Sequence, residues 1–156
     1  ETAELGVHEA TYSKIITESG VKVFFSSTHG AFAHNINGEL HSCDISSKNI
    51  DNARDFTKEF RNNSNFYVQD SVIFLKEFTK KIDLLYLDSY DGHDAELASK
   101  HQLNEAKASI DKLSAKSLIL LDDKGAKTLY STDFFIKNSF KVLAESNNQL
   151  LLSKSL

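Results

Sequence analysis

The 156-residue chain contains no proline, no methionine, no tryptophan and only one cysteine. At ordinary usage, about eight prolines would be expected. Its loops must therefore be built from Gly, Asn, Asp and Ser, and proline-rich linkers are excluded. Residue 1 is Glu rather than Met, so further residues are expected upstream. The lone Cys43 excludes an internal disulfide framework and a cysteine-based zinc cluster, and it favours a reducing, cytoplasmic setting. No run approaches the ~18 consecutive apolar residues of a membrane span. No signal peptide with a basic start and an apolar centre is visible.

An excess of basic charge is also missing. Eighteen Lys+Arg stand against 22 Asp+Glu, a formal charge of −4, and the lysines are scattered. Nucleic-acid backbones are held by clustered Lys and Arg, so neither a nucleic acid nor a membrane is the expected partner. Hydrophobic residues at 40% and charged residues at 26% are globular values. The length suits one domain over 1–156, and a homo-oligomer is compatible with it.

From Glu39 onward, short apolar runs alternate with longer amphipathic ones. Glu39–Asp44 reads as a strand, followed by a helix capped at Ser46 or Ser47 with Ile50, Ala53, Phe56 and Phe60 at helical spacing. Phe66–Asp70 is a second strand, and Ser71–Lys81 a helix with Val72, Leu75 and Phe78 on one side. Ile82–Asp88 and Ser117–Asp123 are nearly continuous apolar runs, the kind buried on both faces of a parallel sheet. Between them, Asp94–Ala115 reads as a long helix with the stripe Leu97, His101, Ala106, Ile110 and Leu113. Thr132–Ser139 fits a short helix, and Phe140–Ala144 and Leu150–Leu152 fit two strands joined at Asn147-Asn148. Alternating strands and helices imply an α/β, Rossmann-like, doubly wound and mostly parallel sheet with a C-terminal antiparallel hairpin.

The first 38 residues admit two placements. In one, Thr2–Leu5 ends the first strand, His8–Ser19 is the following helix, and 21–38 is a loop-rich insertion. In the other, Val21–Phe25 is the first strand and Ser26–Gly30 its loop. The second lacks an acid at the strand end and leaves only a stub of helix before Glu39, so the first is preferred. With it, nearly every strand delivers an acid to its carboxyl end: Glu4, Asp44, Asp70, Asp88 and the pair Asp122-Asp123. That edge is where open α/β sheets bind ligands.

These residues resemble the motifs of class I S-adenosylmethionine-dependent methyltransferases. Glu4-Leu5-Gly6-Val7-His8-Glu9-Ala10 is similar to the acid-x-Gly-x-x-x-Gly loop, with Ala10 in place of the last glycine. The resemblance implies that Glu4 and Gly6 line the methionine half of the cofactor, and that Asp44 accepts hydrogen bonds from the ribose hydroxyls. It further implies that Asp70 and Ser71 contact the adenine. It spans nearly the whole chain, including the paired strands at the end, and it implies the seven-stranded methyltransferase fold.

Leu87-Asp88-Ser89-Tyr90-Asp91-Gly92-His93, with Leu120-Leu121-Asp122-Asp123, is similar to the metal-dependent small-molecule O-methyltransferases. This implies a Mg²⁺ held by Asp88 or Asp91 together with Asp122 and Asp123, hard oxygen ligands that such an ion requires. Asp88 would then sit at the reacting centre, with His93 beside it as a candidate general base. The expected activity is methyl transfer to an oxygen of a small molecule. The alternatives are a degenerate Rossmann-like binding or interaction module, or another metal-dependent enzyme on this scaffold. His29, His34 and His41 match no metal-ligand spacing, and Cys43 reads as a packed thiol.

Overall fold

The structure, a computed structural model, describes residues 23–27, 39–56, 64–90 and 94–154. Among these residues seven strands form one mixed sheet: β1 (Val23–Ser27), β2 (Leu40–Asp44), β3 (Ser64–Val68), β4 (Ile82–Asp88), β5 (Leu113–Leu121), β6 (Lys141–Glu145) and β7 (Leu150–Ser153). Their spatial order is β3-β2-β1-β4-β5-β7-β6. The first five pair in parallel, while β7 runs antiparallel to β5 and β6 antiparallel to β7. The α/β class with a mostly parallel sheet is as the sequence implies.

The central strand is a correction. Val23–Ser27, inside the stretch read as a loop-rich insertion, pairs with β2 on one side and β4 on the other. The place given to Thr2–Leu5 between those strands is thus taken by β1, and the chain leaves the middle of the sheet after Ser27. Residues 28–39, the link from β1 to β2, are about the dozen that a parallel crossover needs. The connection judged too short is therefore long enough. The segment 1–22, with the strand and helix expected there, lies outside the described residues.

Among the described residues four helices join the strands: α1 (Ser47–Phe56), α2 (Ser71–Glu77), α3 (Ala95–Ser109) and α4 (Ser131–Lys137). Two of them start at aspartates that serve as caps. Asp70 accepts the Ile73 amide at 3.0 Å, and Asp94 accepts those of Glu96 and Leu97 at 3.0 and 3.1 Å, satisfying donors that have no partner inside a helix. The α2 helix stops at Glu77, short of the expected Lys81, because Phe78 turns to an extended conformation.

The long helix departs most from its expected form. Leu97, assigned to the apolar stripe, is 49% exposed. The buried face is instead Ala98, Ser99, Gln102, Glu105, Ala106 and Ser109. Small and hydrogen-bonded side chains let α3 approach its neighbours closely: Ser99 Oγ donates to the Ala126 carbonyl at 2.8 Å, and Ser131 Oγ to Gln102 Oε1 at 2.5 Å.

After α3 a short 3₁₀ turn, Ile110–Lys112, leads into β5, whose first residue Leu113 had been placed in the helix. The pairing of β4 with β5 shifts register between Ile82 and Leu84. There the buried Ser117 hydroxyl receives the Ser114 amide at 2.8 Å and donates to the Ile82 carbonyl at 2.6 Å, replacing ladder bonds that the irregularity removes. Beneath these contacts, Leu85, Leu87, Ile119, Leu121, Phe135, Phe140 and Leu152 form one contiguous buried cluster. Each such side chain contributes about 1.5–3 kcal/mol relative to exposure. This core fixes the strand ends relative to one another.

Candidate functional site

The strand registers bring the carboxyl ends of the central strands level. Ser26 lies opposite Cys43 on β2, so Ser27 is level with Asp44. On the other side Ser27 lies opposite Asp88. Leu87 pairs with Leu121, which places Asp122 beside Asp88. The backbone continues the row: the Gln69 amide donates to the Asp44 carbonyl at 3.0 Å and the Asp122 amide to that of Leu87 at 3.1 Å. One file of strand ends therefore carries Asp44, Asp88 and Asp122. Between β1 and β4 the direction of strand succession reverses, the position at which open α/β sheets form a ligand crevice.

On the β2 side, Asp44 is buried and held from below. Its Oδ1 accepts the Ser46 amide at 2.7 Å, and its Oδ2 accepts Asn49 Nδ2 at 3.1 Å. Each carboxylate oxygen has two lone pairs, so these contacts orient the group while leaving acceptor capacity. Asp70 follows β3 and caps α2, and the adjoining Ser71 is buried, with its hydroxyl 3.0 Å from His101 Nε2. That imidazole is 3.6 Å from Oε1 of the fully buried Glu105, which also accepts Ser89 Oγ at 2.6 Å. Contact with the carboxylate raises the His101 pKa, against the effect of burial.

On the β5 side the acids are tied together by a lysine. Lys127 Nζ is 3.2 Å from Asp88 Oδ1 and 2.8 Å from Asp123 Oδ2. The Tyr86 hydroxyl donates to Asp122, and to Asp88 Oδ2 at 3.3 Å, while Gln149 Nε2 reaches Asp122 Oδ2 at 3.1 Å. Two non-glycine residues just past these strands have left-handed backbones, Tyr90 after β4 (φ +66°) and Asp123 after β5 (φ +51°). Such conformations cost about 1–3 kcal/mol each and concentrate at functional sites.

The structure thus brings Asp88, Asp122 and Asp123 to neighbouring strand ends but does not converge them on a metal position. Asp88 and Asp123 face an ammonium, and Asp122 faces a phenol and an amide. Among the described residues no group of three or more His, Cys, Asp or Glu side chains is placed to hold a metal ion. The described members of the expected Mg²⁺ ligand set, Asp88, Asp122 and Asp123, are held instead by Lys127, Tyr86 and Gln149. Glu4, Gly6, Asp91 and His93 lie outside the described residues. His41 is occupied elsewhere, between Tyr67 Oη and Glu39 Oε2 at 3.1 Å each. With Lys80 as the larger influence, it holds the Glu39 carboxyl down to about 2. A depression beside the outer strand β3, lined by Asp51, Arg54, Ser64 and Phe66 among others, lies away from the row of strand ends.

Comparison with known families matches residues 17–124 to a methyltransferase domain. The chain belongs to that methyltransferase family. It is an S-adenosylmethionine-dependent enzyme of class I. Solved structures share the fold at low identity. An rRNA methylase from Streptococcus thermophilus superposes with a TM-score of 0.62 at 9% identity, covering 88% of this chain and 89% of that one. The O-methyltransferase from Bacillus cereus in complex with SAH gives 0.64 at 10%, covering 94% and 80%. An N-methyltransferase from Bradyrhizobium japonicum gives 0.60 at 12%, covering 94% and 93%. Comparison with curated protein sequences yields no match.

Sequence reasoning missed several residues that the structure brings to these strand ends: Tyr86, Lys127, Gln149 and the His101–Glu105 pair. Tyr86 had a signal, since it is the one aromatic inside the apolar run of β4. Lys127 had a weaker one, its i,i+4 spacing from Asp123. Glu105 had the same i,i+4 spacing from His101, while nothing local marks Gln149, whose partner Asp122 is distant in the chain.

Proposed function

We propose that the methyltransferase moves the sulfonium methyl of S-adenosylmethionine to an oxygen of a small molecule, with the cofactor laid across the ends of β2, β1 and β4. The observation that carries this reading is the buried Asp44, which ends β2 beside the central strand and is fixed by Ser46 and Asn49. A carboxylate so placed can accept from both hydroxyls of a ribose. Asp70 and Ser71, at the start of α2, would address the adenine. The methionine half would then lie at the end of β1, the strand at which the order of succession reverses, a reading that β1's position between β2 and β4 supports.

When bound, S-adenosylmethionine would supply an electrophilic methyl group and leave as the neutral thioether, and the proton of the acceptor hydroxyl would pass to a base, for which His93 is the candidate. Such a displacement depends chiefly on alignment and exclusion of water. Asp88, level with the end of β1, is the described acid nearest the reversal point, and His93 follows it in the chain as a candidate base. The acidic balance of the chain, 18 basic against 22 acidic residues, supports a small acceptor over a nucleic acid. A Mg²⁺-assisted form of the reaction fits these residues poorly, because Lys127 lies between the carboxylates that would ligate the ion.

Calorimetric titration with S-adenosylmethionine and SAH tests the reading. Binding that weakens on Asp44→Ala supports it. Absence of binding at millimolar ligand overturns it in favour of the interaction module.

A further inference from the structure

The position of Lys127 is built, not incidental. Asp123 takes a left-handed backbone, and its carbonyl accepts the amides of both Ala126 and Lys127 at 2.9 Å. Its own amide donates to Asp122 Oδ1 at 2.8 Å. The same tight turn is clamped at Gly125, whose φ of +86° suits a residue without a Cβ and whose amide donates to Thr128 Oγ1 at 3.0 Å. Ser99 on α3 holds the turn from outside through the Ala126 carbonyl. The result directs a lysine that is 4% exposed back over the strand ends, where its ammonium meets one carboxylate from β4 and one from the turn after β5.

A divalent ion bridging β4 and β5 would need oxygens from these same two elements, at about 2.0–2.6 Å from the metal. The ammonium already stands between them, and a second cation there would be repelled by it and would have to displace it. Displacing the ammonium, whose side chain is 6% exposed, would leave its charge without the two carboxylates in a buried place, which is strongly unfavourable. We propose that Lys127 is an internal cation that takes the place of a divalent metal at the ends of β4 and β5, so that the carboxylates of this methyltransferase are positioned without any metal. Lys127 acts through Asp88 and Asp123 and is a positioning residue. Its placement is independent of the acceptor, and only its consequence for the reaction rests on the methyl-transfer reading.

The test uses the full chain and Mn²⁺ as probe, read by loss of the free-ion signal in electron paramagnetic resonance. The wild type is expected to bind no Mn²⁺ tighter than about 1 mM, the weak end of oxygen-ligand sites. Lys127→Met, which keeps the volume and deletes the charge, is expected to gain one site at least about tenfold tighter, since affinity follows the net charge of the ligand set. Lys127→Arg keeps the charge and is expected to gain none. Sub-millimolar Mn²⁺ binding by the wild type overturns the proposal, as does a folded Lys127→Met chain that gains no site. Should Lys127→Met not fold, the wild-type measurement decides alone. SAH titration with and without EDTA, run in parallel, is expected to give equal affinities. Failure of SAH to bind at all would remove the methyl-transfer reading while leaving the Mn²⁺ result intact.

Discussion

The hydroxyl of Ser71 lies 3.0 Å from Nε2 of His101, joining the first residue of α2 to the middle of α3. Through His101 and Glu105 the contact continues to Ser89 at the end of β4. A polar line therefore runs behind the crevice from the expected adenine side to the expected reaction side.

The ionic part of this line makes stability depend on pH. Glu105 raises the His101 pKa in the folded protein. A histidine with a raised folded value contributes its stabilisation fully below the unfolded value of about 6.5, and loses it as pH climbs through the higher folded value. The groups facing the ring are Ser71 on α2, Tyr90 after β4 and Glu105 on its own helix, and the charge of Asp70 acts in the same direction as Glu105. The urea midpoint is expected to fall between about pH 6 and about pH 8, and His101→Gln to flatten that fall. An equally steep fall in the variant would refute this origin.

Glu105 is the costliest residue of the line to alter. It is fully buried, and truncation would leave His101 and Ser89 without their carboxylate. Glu105→Ala is expected to destabilise the fold by about 3 kcal/mol, the usual penalty for breaking a buried pair from one side. Equilibrium denaturation measures it, and a loss within the ±0.5 kcal/mol of a surface substitution would show the group to be more hydrated than its burial indicates.

Asp44 combines local and ligand roles that can be separated. Asp44→Ala removes the acceptor of Ser46 and Asn49, with an expected stability cost of about 1–2 kcal/mol. SAH affinity is expected to drop about 10- to 100-fold, equivalent to about 1.4–2.8 kcal/mol. Asn49→Ala, which loosens the carboxylate without deleting it, should weaken binding less. Equal weakening by both would assign Asp44 a purely structural part.

Cys43 should be inert in the native state. It is 2% exposed, and burial, with smaller effects from Glu105, Asp44 and Asp70, pushes its thiol well above the ordinary range. Since the thiolate is the nucleophile, a chromogenic disulfide reagent at pH 8 is expected to react only as urea unfolds the chain. Stoichiometric labelling within seconds in native buffer would contradict this placement.

What the sequence revealed followed from how local each determinant is. Ile82–Asp88 announces β4 through an apolar run that must be buried on both faces, and Asp44, Asp70 and Asp88 stand at or just beyond strand ends as the pattern implied. The central strand was misplaced because Val23-Phe24-Phe25 is short and followed by Ser, His and Gly. Its place depends on pairing with Leu40–Cys43 and Leu84–Asp88, information that no local window holds. The buried face of α3 was misread for a related reason. Ser99, Gln102 and Glu105 are polar by composition, and only partners such as Ala126, Ser131 and Ser89 make their burial tolerable. The acids beyond β4 and β5 were legible as a group, yet their partner Lys127 was not, since a left-handed turn at Asp123 decides where it goes.

The position of β1 has a consequence for how the chain folds. Its pairing with β4 joins residues about sixty positions apart, and contacts of such separation are slow to form because the intervening chain must be ordered first. During synthesis, which adds about 5–20 residues per second, the middle of the sheet has only one of its two neighbours until Asp88 has emerged. For those seconds β1 presents an unfilled edge. This methyltransferase is therefore open to mispairing at the very strand on which the two halves of its sheet later meet.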